Sequence, residues 1–294
     1  MICILLVGVA QIALGGEPVD PNLGDTPLGK AGGIRYASES TTFDALNGYA
    51  SVEVGCGGPR WHLIGGGSAA EGAPDQAWHS FGRPLDYLDA DDAGDDGWYT
   101  GGYGPDPAAF TGFSICIRNT ALRYRFRQVA DSPSGLRAGS VGCGGAEWHV
   151  TSGSPFIATS GSWTGSSFPR DGGDADHRPD DGWQGTALDT VGGIGGFYLF
   201  NVCTRDHDLR YVRRSPVMVS VGGTSNRRVA CRQDEHVVGG GARVTGPANR
   251  ERLVSSYPYD GGDADDVPDD GWQVRAHNLS GNDKQVTAFA ICLS

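Results

Sequence analysis

The residues with the clearest capacity for chemistry are aspartates that recur in one spacing at three places. The stretch from Asp260 to Trp272 reads DGGDADDVPDDGW, and related stretches run from Asp171 to Trp183 and from Asp86 to Trp98. Calcium takes about six to eight oxygen ligands, which carboxylates in a turning loop can supply. The spacing therefore predicts calcium bound by five aspartates in each loop: Asp86, Asp89, Asp91, Asp95 and Asp96; Asp171, Asp174, Asp176, Asp180 and Asp181; Asp260, Asp263, Asp265, Asp269 and Asp270.

Two other roles for these aspartates stay open. The loops are not EF-hands, because none of them contains the glutamate that closes an EF-hand loop. The carboxylates could remain solvated and cap turns, with Asp-Asp-Gly leading into the tryptophan strand. Alternatively, one arginine from each copy, Arg35, Arg123 or Arg210, could pair with them.

Histidines and tryptophans also recur in threes. His62, His149 and His236 each follow a cysteine by five or six residues, and a packed, hydrogen-bonded histidine is favoured over a metal triad. Trp98, Trp183 and Trp272 each end an aspartate loop, where an exposed indole could stack on a sugar ring. We treat these tryptophans as ligand-binding candidates, with a buried tryptophan closing the turn as the favoured alternative.

No catalytic residue is predicted. The sequence has neither a G-x-S-x-G elbow nor an H-E-x-x-H helix. Carboxylates are abundant, but an acid and a base need different environments to hold different protonation states. Here every candidate occurs in triplicate in a similar acidic setting, which is typical of binding or structural elements and favours a non-catalytic protein.

The cysteines predict three disulfides. Apart from Cys3, six cysteines fall into three pairs with nearly equal separations. This regularity selects one of the fifteen pairings that six cysteines allow, namely Cys56 with Cys116, Cys143 with Cys203 and Cys231 with Cys292. No CxxC pair is present, so disulfides and an oxidising compartment are expected rather than a zinc site.

The elements that carry these residues form three sequence repeats of about 88 residues. An apolar-Arg-Tyr triplet opens each repeat, and the first cysteine, the histidine, a glycine cluster, the aspartate loop and a strand with the second cysteine follow. We name the segments repeat 1 (34–118), repeat 2 (119–205) and repeat 3 (206–294). Short apolar runs broken by Gly, Asp, Asn and Pro predict an all-β fold.

The joints between repeats predict how the repeats associate. Only the few polar residues at 118–121 and 205–208 separate a second-cysteine strand from the next Arg-Tyr strand, which is hairpin spacing. We therefore expect consecutive repeats to share a ladder. Pairing the first Arg-Tyr strand with the last cysteine strand would then close a pseudo-threefold, β-prism-like ring without exposed edges. Three tandem β-sandwich modules are the alternative.

The amino-terminal segment predicts export. Residues 1–16 contain an apolar run of signal-peptide length, although no basic residue precedes it, and residues 17–33 have the Pro- and Gly-rich composition of a flexible linker. We expect a protein that is secreted or held at the cell surface, with no membrane span in the mature chain.

Composition narrows the class of partner. The chain has 294 residues, 48 glycines and a net charge of −12, which argues against nucleic acid because phosphate binding needs a basic field. Glycans or surface proteins are the expected partners, and the sequence predicts no oligomeric state. We expect a secreted, adhesion-type binding protein with calcium in its aspartate loops; the alternatives are an extracellular polysaccharide hydrolase and a structural coat or matrix component.

Overall fold

The structure, a computed structural model, describes residues 25–28, 32–86, 95–130, 135–157, 161–172, 176–189, 196–205, 207–245, 250–261 and 267–294. The regular secondary structure of these segments consists of β-strands alone, which confirms the all-β prediction. Within the same segments, no helix has the length and apolar character needed to cross a membrane. The predicted signal segment, 1–16, lies outside the described residues.

The strands follow the sequence repeats. In and before repeat 1 they are β1 (Asp25–Leu28), β2 (Gly32–Thr42), β3 (Tyr49–Gly55), β4 (His62–Ala70), β5 (Trp78–Leu85), β6 (Gly97–Tyr103) and β7 (Ala109–Ile117). In repeat 2 they are β8 (Leu122–Val129), β9 (Leu136–Gly142), β10 (His149–Ile157), β11 (Trp163–Arg170), β12 (Gly182–Leu188) and β13 (Phe197–Thr204). In repeat 3 they are β14 (Leu209–Arg213), β15 (Val217–Val219), β16 (Thr224–Ala230), β17 (His236–Thr245), β18 (Glu251–Tyr259), β19 (Gly271–Asn278) and β20 (Lys284–Leu293).

Each repeat contributes two antiparallel three-stranded groups. One group joins the Arg-Tyr strand, the second-cysteine strand and the histidine strand, as β2-β7-β4, β8-β13-β10 and β14-β20-β17. The other joins the strand before the first cysteine, the tryptophan strand and the strand before the aspartate loop, as β3-β6-β5, β9-β12-β11 and β16-β19-β18. The disulfides form as predicted, Cys56–Cys116, Cys143–Cys203 and Cys231–Cys292, and tie the two groups of each repeat together.

The predicted ladder between consecutive repeats is wrong. Each Arg-Tyr strand pairs with the second-cysteine strand of its own repeat, so that Arg35 lies opposite Cys116 and Arg210 opposite Cys292. The physical reason is that a second-cysteine strand is the central strand of its group: β7, for example, has β2 on one edge and β4 on the other. No edge is left for a hairpin partner from the next repeat, and the joints connect different sheets.

Sheets nevertheless continue from one repeat into another. Strand β4 pairs with β18 at Ser68 and Ser256, and β17 pairs with β11 at Ala242 and Ser167. Repeat 3 thus shares one seven-stranded sheet with repeat 1 and another with repeat 2, which independent tandem sandwiches would not do.

The junction of repeats 1 and 2 differs from these two. The position equivalent to Ser68 is Pro155, which has no N–H to donate to a ladder. Phe156 instead meets Phe81 edge to face, with ring centroids 5.0 Å apart. No sheet therefore closes on itself among the residues that the structure covers.

The three histidine strands meet in the core. Ile64, Thr151 and Val238 are fully buried at equivalent positions, and Thr151 donates a hydrogen bond from Oγ1 to the carbonyl of Ile64 at 2.8 Å. The next residue is glycine at 65 and 239 because a Cβ on Gly65 would lie 1.9 Å from the Val238 carbonyl oxygen. The glycine clusters therefore serve close strand packing.

The segment predicted as a linker is not irregular throughout. Strand β1, Asp25–Leu28, pairs antiparallel with the first residues of β2. The Arg-Tyr strand of repeat 1 thus has a partner on each edge, β1 over 32–35 and β7 along its length. The remaining residues of the predicted linker up to 31 lie outside the described segments.

Candidate functional site

Each repeat places its histidine against the first aspartate of Asp-Asp-Gly-Trp. In repeat 2, His149 Nδ1 lies 2.9 Å from Asp180 Oδ2, and the aspartate is only 3% exposed. The same contact joins His62 to Asp95 and His236 to Asp269. The prediction of packed, hydrogen-bonded histidines is confirmed, and the three histidines belong to no cluster of three potential metal ligands within the described chain.

The backbone of the Asp-Asp pair reinforces this contact. The carbonyl of Asp180 accepts a hydrogen bond from the Val150 N–H at 2.7 Å, and that of Asp181 accepts one from the Cys143 N–H at 2.9 Å. Repeats 1 and 3 make the same bonds at equivalent residues: Asp95 with Leu63, Asp96 with Cys56, Asp269 with Val237 and Asp270 with Cys231. The Asp-Asp pair therefore joins the histidine strand to the first cysteine.

Burial changes the acidity of Asp180. Burial is the largest cause that raises the pKa of Asp180, and Asp176 also raises it, while His149 lowers it. A buried carboxylate is costly unless it accepts hydrogen bonds. His149 supplies such a bond, and the pair thus has a structural role in each repeat.

The predicted calcium ligands are only partly described. Asp89, Asp91, Asp174, Asp263 and Asp265 lie outside the described residues. Asp86, Asp171 and Asp260 directly follow the ends of β5, β11 and β18. Calcium binding by these loops therefore stays a prediction.

Three of the described loop aspartates cap turns, and one of them, Asp176, accepts a hydrogen bond through Oδ1 from the Arg178 N–H at 2.8 Å. Asp181 Oδ2 accepts a hydrogen bond from the Gly172 N–H at 2.5 Å, and Asp270 Oδ2 accepts one from the Gly261 N–H at the same distance. This is the role that the turn-capping alternative predicts for the last aspartate of the loop.

The tryptophans that follow the loops are buried. Trp98, Trp183 and Trp272 are at most 1% exposed, so none presents a ring face to a sugar. This corrects their assignment as ligand-binding candidates and confirms the alternative. Each ring packs on the central residue of a glycine cluster, where a Cβ would lie 2.3 to 2.4 Å from the indole: Gly66, Gly153 and Gly240.

The indole nitrogens show where repeat 1 differs. Trp183 and Trp272 donate from Nε1 to the hydroxyls of Ser167 and Ser256, both at 2.9 Å. Trp98 Nε1 is buried without a hydrogen-bond partner, because the equivalent residue of repeat 1 is Gly82. The hydrogen bond is therefore not needed for the tryptophan to be buried.

The repeated arginines contact the turn after the first cysteine. Arg123 donates to the carbonyl of Cys143 at 3.0 Å and lies over the ring of Trp148, 4.0 Å from its centroid. Arg210 makes a bidentate ion pair with Glu235, which holds the pKa of that carboxyl below its usual value. For Arg210, the alternative of pairing with the aspartates is wrong.

One group of potential metal ligands occurs in the described segments, and its chemistry excludes a metal. It consists of Cys231, Glu235 and Cys292. The two cysteines form a disulfide and offer no thiolate, while Arg210 occupies the carboxylate.

A cleft of about 740 Å³ lies between repeats 2 and 3. Its walls are the end of β11 with the residues that follow, strand β14, and the turn around Glu235. Six of the 23 basic residues of this acidic chain line it: Arg170, Arg178, Arg210, Arg213, Arg232 and Arg243. Phe168 and Phe289 also line it; both side chains are buried, and their rings stack with centroids 5.8 Å apart.

Sequence reasoning missed both the cleft and the histidine-aspartate pairing. The pairing leaves a signal, because histidine and aspartate recur with separations of 33, 31 and 33 residues. The cleft leaves a fainter signal, since three of its arginines, Arg170, Arg213 and Arg243, occupy positions where the other repeats have no basic residue.

Comparisons with known proteins supply no family. No protein-family model matches the chain, and no curated protein matches it. Among solved structures, it is similar to a chain described as "The Triple Jelly Roll Fold and Turret Assembly in an Archaeal Virus". That likeness has 12% sequence identity and a TM-score of 0.19, covering 92% of this chain and 83% of the other. At this TM-score the likeness carries no argument about function.

Proposed function

We propose that the protein is a secreted or cell-surface binding protein without catalytic activity, which recognises a glycan or a surface protein. One observation carries the proposal: the residues that could do chemistry have the same structural role in all three repeats. The histidine-aspartate pair, the tryptophan and the disulfide occupy equivalent places in all three repeats and are spent on packing and hydrogen bonding.

The hydrolase alternative lacks such support. A glycosidase needs a carboxylic acid that stays protonated near the working pH beside a second carboxylate. The cleft between repeats 2 and 3 contains Glu235 next to Asp234, but Arg210 lowers the pKa of Glu235. A lowered pKa is the reverse of what the general acid requires.

Binding to arrays of glycans and extracellular proteins tests the proposal. We expect saturable binding of the oxidised protein to at least one ligand, and chromatography of each bound polysaccharide should detect no shorter products. Release of oligosaccharides would refute the non-catalytic role. Failure to bind any glycan or protein would favour a structural coat or matrix component.

We also propose that the three repeats form a closed pseudo-threefold arrangement. Three tyrosine hydroxyls support it, because each donates to a carbonyl in another repeat: Tyr36 to Val237, Tyr124 to Leu63 and Tyr211 to Val150, at 2.7 to 2.8 Å. These bonds run from repeat 1 to 3, from 2 to 1 and from 3 to 2, a cyclic order.

A circular permutant tests the closed arrangement. Joining Ser294 to Ile34 through a four-residue polar linker and opening the chain at Thr120 should give a folded protein of similar stability. The four residues at 118–121 bridge the equivalent gap between repeats 1 and 2. An unfolded permutant, with the same linker tolerated as an insertion at 118–121, would argue for an open arrangement.

Calcium in the aspartate loops is the remaining part of the proposal. Thermal unfolding with millimolar calcium and with excess chelator tests it. A ligand at about a hundred times its dissociation constant adds roughly 2.7 kcal/mol per independent site. Changing Asp89 and Asp91 to Asn should remove the part of the calcium stabilisation that comes from repeat 1. Equal unfolding midpoints with calcium and with chelator would show that the loops do not bind calcium.

A further inference from the structure

The cleft between repeats 2 and 3 departs from the threefold pattern in its basic residues. Arg170 is replaced by Leu85 in repeat 1 and Tyr259 in repeat 3, as the strand registers show. Arg213 corresponds to Ser38 and Phe126, and Arg243 to Ala69 and Phe156. None of the three has a basic counterpart, so only this junction carries the three cations.

These three arginines are available for a ligand. Arg170 donates to the Ser140 hydroxyl and to the Asp171 carbonyl, and Arg243 lies over the ring of Phe168. In the described part of the chain, none of Arg170, Arg213 and Arg243 forms an ion pair with a carboxylate. Arg210 differs from them, because it is paired with Glu235. Unpaired guanidinium groups on one cleft favour a ligand with carboxylate or sulfate groups.

The other groups of the cleft restrict the ligand further. Asp208 and Asp234 stand among the arginines, and they would repel a polyanion with charge at every unit, such as polyphosphate. They and the Gln184 amide can accept hydrogen bonds from hydroxyl groups.

We infer that this cleft binds an acidic oligosaccharide, in which anionic sugars meet Arg170, Arg213 and Arg243 and neutral hydroxyls meet the carboxylates. Its volume of about 740 Å³ falls within the usual range of ligand sites, about 300 to 1,000 Å³. The inference rests on the proposed binding function and names the ligand class and the place.

Titration calorimetry with three probes tests the inference and separates the two sources of negative charge. The probes are tetragalacturonate, which carries carboxylates, a heparin tetrasaccharide, which carries sulfates as well, and neutral cellotetraose. We expect one or both acidic probes to bind, with affinity that falls as salt rises. Cellotetraose should bind at least tenfold more weakly.

Variants locate the site. Arg213→Gln and Arg243→Gln should each weaken binding of the acidic probe about tenfold, the effect expected for one charge-assisted hydrogen bond. Arg213→Lys keeps the charge without the planar fork and should fall between wild type and Arg213→Gln. The control is Arg60→Gln, which removes the same charge from an exposed turn of repeat 1 and should leave affinity unchanged.

The outcomes separate the inference from the function on which it rests. Unchanged affinity in the double variant Arg213→Gln/Arg243→Gln, or equal binding of cellotetraose, would overturn the acidic-sugar cleft and leave a binding protein with another site. Absence of binding by both acidic probes would overturn the cleft as well. Cleavage of a probe would refute the non-catalytic role instead.

Discussion

His149 and Asp180 form a hydrogen-bonded pair in which the aspartate is buried and the histidine reaches the surface. The side chain of His149 is 36% exposed, that of Asp180 only 4%. Because the Asp180 carbonyl also binds the N–H of Val150, the pair holds the aspartate loop against the strand that begins at His149.

Replacing His149 by alanine should destabilise the protein. The change leaves the buried carboxylate of Asp180 without its hydrogen-bond partner, which costs about 1–3 kcal/mol. Urea unfolding measures the loss. His177→Ala in the same loop is the control, since His177 is 84% exposed and lies 3.9 Å from Asp171, and its free energy of unfolding should not change. Equal stability of the two variants would remove the structural role.

Replacing Ser256 by alanine should leave the indole N–H of Trp272 buried and unsatisfied. We expect a loss of about 1–3 kcal/mol in the free energy of unfolding, and a similar loss for Ser167→Ala through Trp183. The measurement is urea unfolding followed by tryptophan fluorescence. Ser40→Ala, on an exposed strand position, is the control. No loss would mean that these sites tolerate a free indole N–H as Trp98 does.

Acid should destabilise the protein through His79. This side chain is 4% exposed, and burial lowers its pKa to about 4 from a usual value of 6.5. Between those values the unfolded chain binds a proton that the native protein does not, so the free energy of unfolding falls as pH falls. The contribution is about 2–3 kcal/mol by pH 4.

Unfolding of His79→Gln at pH 7 and pH 4.5 checks this prediction. The loss of stability between the two pH values should be smaller in the variant than in wild type, while His177→Gln, at an exposed site, should keep the wild-type difference. An unaltered pH dependence in His79→Gln would show that other groups carry the acid sensitivity.

The three disulfides should contribute nearly equally to stability. They close loops with sequence separations of 60, 60 and 61 residues, and in the chain-entropy model each loop restricts the unfolded chain by about 4 kcal/mol. Changing both cysteines of one pair to serine and measuring urea unfolding checks this. Losses that differ widely among the three double variants would show that native-state packing, and not loop length, dominates.

The repeat pattern made the local structure predictable. Equal cysteine separations identified the disulfides, and alternation with Gly and Asp at the turns identified the strands. Spacing within one repeat is a local property. It recurs because each repeat folds into the same two strand groups. Burial of Trp98, Trp183 and Trp272 was the favoured alternative and is confirmed, so their assignment as ligand-binding candidates is wrong.

Contacts between repeats could not be predicted from spacing. The joint at 118–121 has hairpin spacing, yet β7 already has a partner on each edge, and nothing local to the joint shows this. The repeats, the disulfides and the β class can be recognised from the chain alone, because they follow from spacing. That Arg170 joins Arg213 and Arg243 at one cleft is visible only in the folded protein, because residues of different repeats meet through long-range packing.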